Sequence, residues 1–381
     1  MKKTKKISIH LASLLAIASS YFLMSSCGGE TKNENKSNVY FPVKAGMNWG
    51  YADTACNFIQ NPVYEYAGEF HNDRALVVKN GKISYLNTSF KALDNFKYIK
   101  GTEFNEGKAF VLDSVKSIHC IDTNLKVLFT LKEIEEVNVF SDGMASFRRN
   151  SKYGFIDDKG KEIIAPSFDN VTSFSEGLCA VAINTVIGDS TFYTWTYIDK
   201  TGKKIIDSDF TEALQFFNGL AAVAQGEKWG WVDKTGKFVF GNDFEKVNNF
   251  SEGFASFRKN GQCGVMNKNG KIIVEPSYFN IGNFKGGTAA LTLAPGSVGV
   301  IDTGGTIVIP ANFKVISDFK DGFAFAVKNE KLCFINKKGK IFCNETYDSA
   351  PGFLGAEYLG DFSLFNKLEV TTLDSVSGNN L

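Results

Sequence analysis

The side chains that could do chemistry are few and scattered. The three histidines, His10, His71 and His119, show no spacing typical of a metal-binding pair. The chain has no Gly-x-Ser-x-Gly elbow, no His-Glu-x-x-His motif and no phosphate-binding loop. With 41 acidic residues, a chance carboxylate pair for glycoside cleavage stays open as an alternative. We therefore expect no enzyme, no catalytic or metal site and no cofactor.

Nine acid or amide side chains recur at a regular spacing, which indicates architecture rather than catalysis. They stand four residues after the start of a unit of about 34 residues, and one gap, from Tyr153 to Trp195, is 42 residues. Counting the start of each unit as position 0, the starts are Trp49, Ile83, Ile118, Tyr153, Trp195, Trp229, Cys263, Val298 and Leu332. The residues at position 4 are Asp53, Asn87, Asp122, Asp157, Asp199, Asp233, Asn267, Asp302 and Asn336.

The residues after position 4 explain these acids as turn formers. In six units glycine stands at position 7, as in Asp233-Lys-Thr-Gly236. The acid can open a type I turn through its side chain, and glycine can close the turn at positive φ. A calcium loop needs oxygen ligands more densely spaced than any unit offers. The pattern predicts a short β-hairpin with a bulge at glycine.

The segments between the turns predict an all-β fold. Runs such as Ile163-Ile164 and Ile307-Val308-Ile309 are β-branched, and two glycines per unit would cost a helix about 1 kcal/mol each. Turns every ~8–12 residues predict three antiparallel strands per unit. The result is a tandem array of about nine three-stranded antiparallel units, either an open curved solenoid or propeller-like. Since nine exceeds the usual range of roughly 4–8 blades, we favour the open array.

The strand at position 0 is apolar on both faces, as in Trp229-Gly-Trp231-Val232, so we expect it to be covered on both sides. The glycine at position 1 is expected to make room for a ring from the neighbouring layer. Trp49-Gly50 and the segment Lys228–Lys237 resemble WG repeats, a family of bacterial β-repeats, over residues 39 to about 355. The resemblance implies an all-β repeat protein, often on exported or membrane-anchored chains, and implies no reaction.

The N-terminus predicts export. Lys2, Lys3, Lys5 and Lys6 precede a short apolar run, and Leu23-Met24-Ser25-Ser26-Cys27 resembles the lipobox of bacterial lipoproteins. We expect residues 1–26 to be a lipoprotein signal peptide, Cys27 the lipid anchor, 27–38 a flexible tether, 39–356 the repeat array and 357–381 a C-terminal cap or tail. The alternative is an ordinary secretory signal with a chance cysteine. Localisation at the cell envelope follows, with the outer membrane favoured.

The charge of the mature chain argues against nucleic acid as a partner. Without residues 1–26 it carries 38 basic and 41 acidic residues, a net charge near −3. Phosphate binding requires a concentrated basic face.

Three irregular features are candidates for function or special chemistry. The long gap places an insertion at residues 183–194 with Asp189, Phe192 and Tyr193, and insertions in repeat arrays often form binding loops. A neutral longer loop is the alternative. Trp231 could belong to an exposed aromatic ladder, although packing in the core is the other interpretation. Cys333 and Cys343 are equidistant from Lys338, so a disulfide across that hairpin is predicted unless a bulge shifts the register.

These observations predict a lipid-anchored, extracytoplasmic protein that mediates protein–protein interaction. The partner is an unknown envelope or surface protein, and the membrane is contacted through lipidated Cys27. A glycan-binding surface lipoprotein is the alternative. It would need exposed aromatic rings flanked by acids or amides along one face.

Overall fold

The computed structural model describes residues 40–187, 190–329 and 331–342. Nine small antiparallel sheets form the blades of a nine-bladed β-propeller, which confirms the all-β repeat architecture. We number the blades in chain order. The strands are, in blade 1, β1 (Tyr40–Ala45), β2 (Asn48–Asp53) and β3 (Phe58–Tyr64); in blade 2, β4 (Tyr66–His71), β5 (Arg74–Lys79) and β6 (Lys82–Leu86); in blade 3, β7 (Lys100–Gly101), β8 (Lys108–Leu112), β9 (Ile118–Asp122) and β10 (Val127–Leu131); in blade 4, β11 (Glu136–Val137), β12 (Met144–Arg149), β13 (Lys152–Asp157) and β14 (Glu162–Phe168); in blade 5, β15 (Asn170–Val171), β16 (Leu178–Ile187), β17 (Ser190–Asp199) and β18 (Lys204–Phe210); in blade 6, β19 (Glu212–Phe217), β20 (Leu220–Gln225) and β21 (Lys228–Asp233); in blade 7, β22 (Lys246–Val247), β23 (Phe254–Lys259), β24 (Gln262–Asn267) and β25 (Ile272–Tyr278); in blade 8, β26 (Asn280–Ile281), β27 (Thr288–Ala294), β28 (Ser297–Asp302) and β29 (Ile307–Phe313); and in blade 9, β30 (Val315–Ile316), β31 (Phe323–Lys328) and β32 (Lys331–Asn336).

The predicted signal peptide (1–26), tether (27–38) and tail (357–381) lie outside the described residues, as does the end of the array after 342. Within the described part of the chain, no helix has the length and apolar content needed to cross a membrane.

The turn after position 4 has the predicted chemistry. In blade 6 the Asp233 Oδ1 accepts hydrogen bonds from the backbone amides of Thr235 at 2.9 Å and Lys237 at 3.2 Å. The Gly236 amide donates to the Asp233 carbonyl at 2.9 Å, and Gly236 has a φ of +85°. The position-4 acids are therefore structural turn formers, because their acceptor oxygens are occupied by their own backbone.

The glycine at position 1 serves a different purpose from the one expected. A Cβ on Gly230 would lie 2.3 Å from the carbonyl oxygen of Gly241, in the segment that pairs with β21. In blade 7 the equivalent position, Gly264, would place a Cβ 2.6 Å from the carbonyl oxygen of Val274 on the outer strand. The glycine thus admits the bulged backbone of its own blade and not an aromatic ring of the neighbouring one.

The prediction of three strands per unit is wrong for five of the described sheets, which have four. The additional strand is the innermost one and is often only two residues long. In blade 7, for example, Lys246 pairs with Arg258 and Val247 with Phe257. So short a strand has no hydrophobic run for a sequence pattern to reveal, and it comes from the end of the preceding unit.

The expectation of an open array is also wrong, because the first and last blades pack together. Phe41 and Val43 of blade 1 share a buried cluster with Phe325 and Phe334 of blade 9. The Phe41 ring centroid lies 4.9 Å from that of Phe334. Closure leaves neither terminal blade with an exposed apolar face, which an open array of identical units would have to cap separately.

Candidate interaction site on the fifth blade

Neighbouring blades are fastened by the segment before the second strand of a blade, which reads Phe-Ser-Glu-Gly in blades 5 and 7. In blade 7 the Ser251 Oγ donates to the carbonyl oxygen of Phe284 in the lead-in of blade 8 at 2.6 Å. Both carboxylate oxygens of Glu252 accept from the backbone amides of Gly286 and Gly287 at 2.7 Å. We call this pair of contacts the interblade clasp. In blades 3, 4 and 5 the acid at the same position also accepts a backbone N–H of the next blade. The three pairs are Glu106 with Gly143, Asp142 with Gly177 and Glu176 with Gly219.

The sequence pattern did not lead us to predict the clasp. The signal was present, since an acid or amide precedes the glycine in unit after unit. The clasps make the ring a connected scaffold for whatever projects from it.

One hairpin projects farther than the others. In blade 6 the hairpin between the second and third strands ends at the pair Gln225–Lys228. In blade 5 the ladder continues past the equivalent pair, Ile183–Thr194, through four more pairs to Ile187–Ser190. At roughly 3.4 Å per residue, the extension adds about 13 Å to the blade. The hairpin leaves the end of the blade opposite to the clasps, because β16 begins at the clasp and ends at the hairpin turn.

The extended hairpin carries large apolar side chains that no neighbouring blade covers. Val186 is 65% exposed and Phe192 is 54% exposed, and Ile183 and Tyr193 are exposed as well. Since cross-strand partners share a face, Ile183 and Phe192 lie on one face, and Val186 and Tyr193 on the other. A two-stranded ribbon with apolar groups on both faces has no core of its own. An exposed apolar cluster of this kind is typical of a contact surface.

The base of the hairpin is anchored to blade 4 by a carboxylate. Asp169 Oδ2 accepts the backbone N–H of Asn184 at 3.0 Å, and its Oδ1 accepts from the Lys152 Nζ at 2.6 Å. Burial raises the pKa of Asp169, but the hydrogen bonds from Lys152 and Asn184 outweigh it, and the pKa lies below its ordinary value. The carboxylate is therefore charged at neutral pH and holds the first extra residue of the hairpin in place.

The residues predicted to form a binding surface differ in their exposure. Phe192 and Tyr193 are exposed on opposite faces of the hairpin, and Asp189 lies outside the described residues. Trp231 is fully buried, so its assignment to a binding surface is wrong and the core interpretation holds. Its Nε1–H donates to the carbonyl oxygen of Asn248 at 2.9 Å, and its ring packs 5.2 Å from that of Phe250. The strand around Trp231 is apolar on both faces, so its sequence does not distinguish a buried tryptophan from an exposed one.

The predicted disulfide between Cys333 and Cys343 is also corrected. Cys333 carries a free thiol buried in the core of blade 9, and its Sγ donates to the carbonyl oxygen of Ala326 at 3.4 Å. Its side chain packs in a buried cluster with Val300 and Ile309 of blade 8. Cys343 and the predicted lipid anchor Cys27 lie outside the described residues.

A polar cavity of about 380 Å³ lies along four successive blades, 4 to 7. It is lined by Asn138, Ser146, Val171, Thr172, Ser173, Leu214, Gln215 and Asn249. Amide and hydroxyl groups dominate this lining, and none of the eight side chains is charged. Among the described residues, no three His, Cys, Asp or Glu side chains meet in an arrangement that could hold a metal ion.

Three solved structures align with most of the chain. A eukaryotic initiation factor aligns over 82% of this chain and 96% of its own, with 11% identity and a TM-score of 0.58. BamB from Moraxella catarrhalis aligns over 72% of this chain and 92% of its own, with 11% identity and a TM-score of 0.39. Saccharomyces cerevisiae Sqt1 aligns over 79% and 97%, with 8% identity and a TM-score of 0.40. The first of these likenesses is one of fold.

Sequence comparison is more specific. No curated protein matches the chain. Seven segments match the family described as WG containing repeat: residues 49–82, 120–153, 153–184, 195–229, 229–263, 264–292 and 299–331. These segments fall on the units identified from the position-4 acids, and the second and ninth units are not among them. Because the matched segments together span more than half of the sequence, the chain belongs to the family of WG containing repeat proteins.

Proposed function

We propose that this protein is a non-catalytic interaction scaffold of the cell envelope, in which the propeller presents the hairpin of blade 5 to a protein partner. The observation that carries the proposal is the set of four exposed apolar side chains on a hairpin that extends beyond the equivalent hairpin of blade 6. Burying such groups against a partner would release water from each, at roughly 25 cal/mol per Å² of apolar surface.

A protein partner fits this hairpin better than a glycan. The aromatic ring of Phe192 shares its face with the aliphatic Ile183, which suits the apolar core of a protein interface. A glycan site would need its rings flanked by acids or amides. Tyr193 has Asn184 opposite it, but Phe192, the more exposed ring, has Thr185. The affinity would then depend on a few anchors, with Phe192 and Tyr193 as the main ones.

The test is site-specific photo-crosslinking in living cells of the source organism. A photoreactive amino acid replaces Phe192 in one strain and Phe279 in another. Phe279 is the matched control because it is 52% exposed, close to the value for Phe192, but lies at the junction of blades 7 and 8. We expect a discrete cross-linked protein from position 192 and none from position 279.

The proposal fails if both positions give the same products or neither gives one. A hairpin variant, Phe192→Ser with Tyr193→Ser, should lose the partner in affinity purification, while Phe279→Ser should retain it. If the double variant retains its protein partner, the contact lies elsewhere on the ring. Binding of purified envelope polysaccharide that the double variant abolishes would instead favour the glycan alternative.

The location of the scaffold is a separate part of the proposal. The basic head, the short apolar run and the segment Leu23–Cys27 support lipidation of Cys27 and anchoring at the envelope, with the outer membrane favoured. Metabolic labelling with an alkyne fatty acid should mark the wild-type protein and not Cys27→Ala. The variant should also leave the membrane fraction. Membrane pelleting of Cys27→Ala would contradict the lipid anchor, and secretion of an unlabelled wild-type protein would favour the ordinary signal peptide.

A further inference from the structure

Neighbouring blades share a contact that repeats around the ring. The glycine at position 7 of one blade packs against the residue at position 11 of the preceding blade. A Cβ built on that glycine would lie 2.5–3.4 Å from the side chain or backbone of the preceding blade in six successive junctions. The six pairs are Gly160 with Phe129, Gly202 with Ile164, Gly236 with Ile206, Gly270 with Phe240, Gly305 with the adjoining residues Ile273 and Val274, and Gly339 with Ile309.

Blade 1 has a cysteine where these blades have glycine. Cys56 stands at position 7 after Trp49, and its φ of +69° lies in the same left-handed region as that of the glycines. It is buried in the cluster that joins blade 1 to Phe325, Leu332 and Phe334 of blade 9. Cys56 therefore occupies, at the closing junction, the place that glycine occupies at the other six.

Cys56 is disulfide-bonded. The other four cysteines in the described part of the chain, Cys120, Cys179, Cys263 and Cys333, have free thiols. The partner of Cys56 is therefore either Cys27 or Cys343. Cys343 stands at position 11 of the ninth unit, which is the position that packs against position 7 of the next blade.

The residue before Cys343 follows the pattern of the other blades. The Phe342 amide donates to the Phe334 carbonyl at 2.9 Å, as the Val239 amide donates to the Trp231 carbonyl in blade 6. In blade 6 the next residue is Phe240, whose ring meets Gly270 of blade 7. The residue that follows Phe342 in the sequence is Cys343.

We propose that Cys56 and Cys343 form a disulfide that closes the propeller covalently between its first and last blades. The two thiols lose two protons and two electrons and form one S–S bond. The oxidant is a disulfide of an envelope oxidoreductase or a small molecule, which is reduced to two thiols by exchange. Such a bond persists in an oxidising compartment, so it agrees with export of the chain.

All four free thiols are buried, which limits their access to an oxidant. Burial raises the pKa of Cys120 and Cys179 to about 12, so almost no thiolate forms at neutral pH. The prediction that Cys333 pairs with Cys343 was wrong because it assumed that both partners belong to the same hairpin. The correct neighbour of position 11 lies in the next blade.

The test is peptide mapping of the exported full-length protein, alkylated under denaturing conditions without reductant. The expected result is one linked species that joins the peptides containing Cys56 and Cys343, with Cys120, Cys179, Cys263 and Cys333 alkylated. Reduction should convert the linked species into its two peptides. Alkylation of both Cys56 and Cys343, or linkage of Cys56 to Cys27 or any other cysteine, overturns the proposal.

A stability measurement provides a second, independent readout. Cys56→Ser and Cys343→Ser should lower the urea midpoint by the same amount, the double variant should lower it no further, and reductant should have no additional effect on any of them. Cys333→Ser, which alters a free buried thiol, should keep the full response to reductant. Additive losses from the two single variants, or a reductant-sensitive double variant, would show that the two cysteines do not act as a bonded pair.

Discussion

Lys320 Nζ lies 2.8 Å from Glu69 Oε2, although the two residues are 251 positions apart in the chain. Lys320 belongs to blade 9 and Glu69 to blade 2, so the ion pair passes blade 1, which has no inner strand of its own among the described residues. The ion pair reinforces the ring at the place where its first and last blades meet.

Removal of this pair should weaken ring closure slightly. Both side chains are about one-third exposed, so Lys320→Gln is expected to lower the free energy of unfolding by about 0.5–1 kcal/mol. A double-mutant cycle with Glu69→Gln isolates the coupling from other effects of each change. The same cycle on Lys285 and Asp318, which are 3.6 Å apart and two-thirds exposed, is the control. A coupling energy no larger than that of the control would contradict a role for the pair in closure.

Gly236 should tolerate a side chain poorly for two reasons. Its φ of +85° is unfavourable for any residue with a Cβ, and that Cβ would lie 2.6 Å from Ile206 Cγ2 of the preceding blade. Gly236→Val is expected to lower the free energy of unfolding by about 1–3 kcal/mol or more. Gly226→Val is the control, because Gly226 has a φ of +65° and no atom within 4 Å of a Cβ. An equal loss in both variants would exclude the interblade contact, and unchanged melting of Gly236→Val would refute the bulged-hairpin turn.

The turns and the number of blades could be predicted from the sequence because they depend on local chemistry. Asp233 and Gly236 act within five residues, and each of nine units repeats the pattern. Closure could not be predicted in this way, since it depends on how much each blade rotates relative to the next. No single residue encodes that angle.

The candidate site could be predicted only in part. The length of the insertion and the residues Phe192 and Tyr193 identify the hairpin, because an insertion breaks the period whatever its structure. Trp231 and Phe192 are both large aromatic residues at strand positions, and their burial differs because one has a neighbouring blade on each side. Contacts between blades, such as that of Glu252 with Gly286, connect residues more than 30 positions apart, so the recurring acid before the glycine does not by itself identify its partner.

The interblade clasp at Glu252 should be sensitive to both substitution and acid. Each carboxylate oxygen accepts one backbone N–H, and these bonds from Gly287 and Gly286 lower the pKa of Glu252 from its ordinary value of 4.5. Glu252→Gln keeps one acceptor atom and is expected to lower the free energy of unfolding by about 1 kcal/mol. Because the folded pKa is depressed, the carboxylate stabilises fully above about pH 4.5, and its contribution is lost as the pH falls through the folded pKa.

The control for the clasp is Glu275→Gln, which changes an exposed carboxylate on the outer strand β25 of the same blade. Urea unfolding at pH 7 and pH 3 compares the two variants with the wild type. The difference between Glu252→Gln and wild type should shrink at pH 3, and that of Glu275→Gln should be small at both. A Glu252→Gln effect of equal size at both pH values would assign it to packing and not to the charged clasp.

His71 should make the stability of the junction between blades 2 and 3 depend on pH in the opposite sense. Its Nε2 lies 3.0 Å from Glu103 Oε2 on blade 3. The hydrogen bond with Glu103 raises the pKa of His71 from 6.5, the charges of Glu103 and Glu69 act in the same direction, and burial and Lys320 lower it. Because the folded pKa is raised, protonated His71 stabilises fully below about pH 6.5, and this contribution is lost as the pH rises through the folded pKa.

A proton NMR titration of the imidazole measures this pKa directly. We expect a value above 6.5 in the wild type, a lower value in Glu103→Gln and a higher value in Lys320→Gln, because the latter removes a neighbouring positive charge. Between pH 5 and pH 9, the unfolding midpoint of the wild type should fall as the pH rises through the pKa of His71. The midpoint of His71→Gln should not show this fall. The Lys320 variant separates two explanations, since a pKa set by burial alone would not respond to a charge change on blade 9. A wild-type pKa at or below 6.5 would contradict the bond between the two blades.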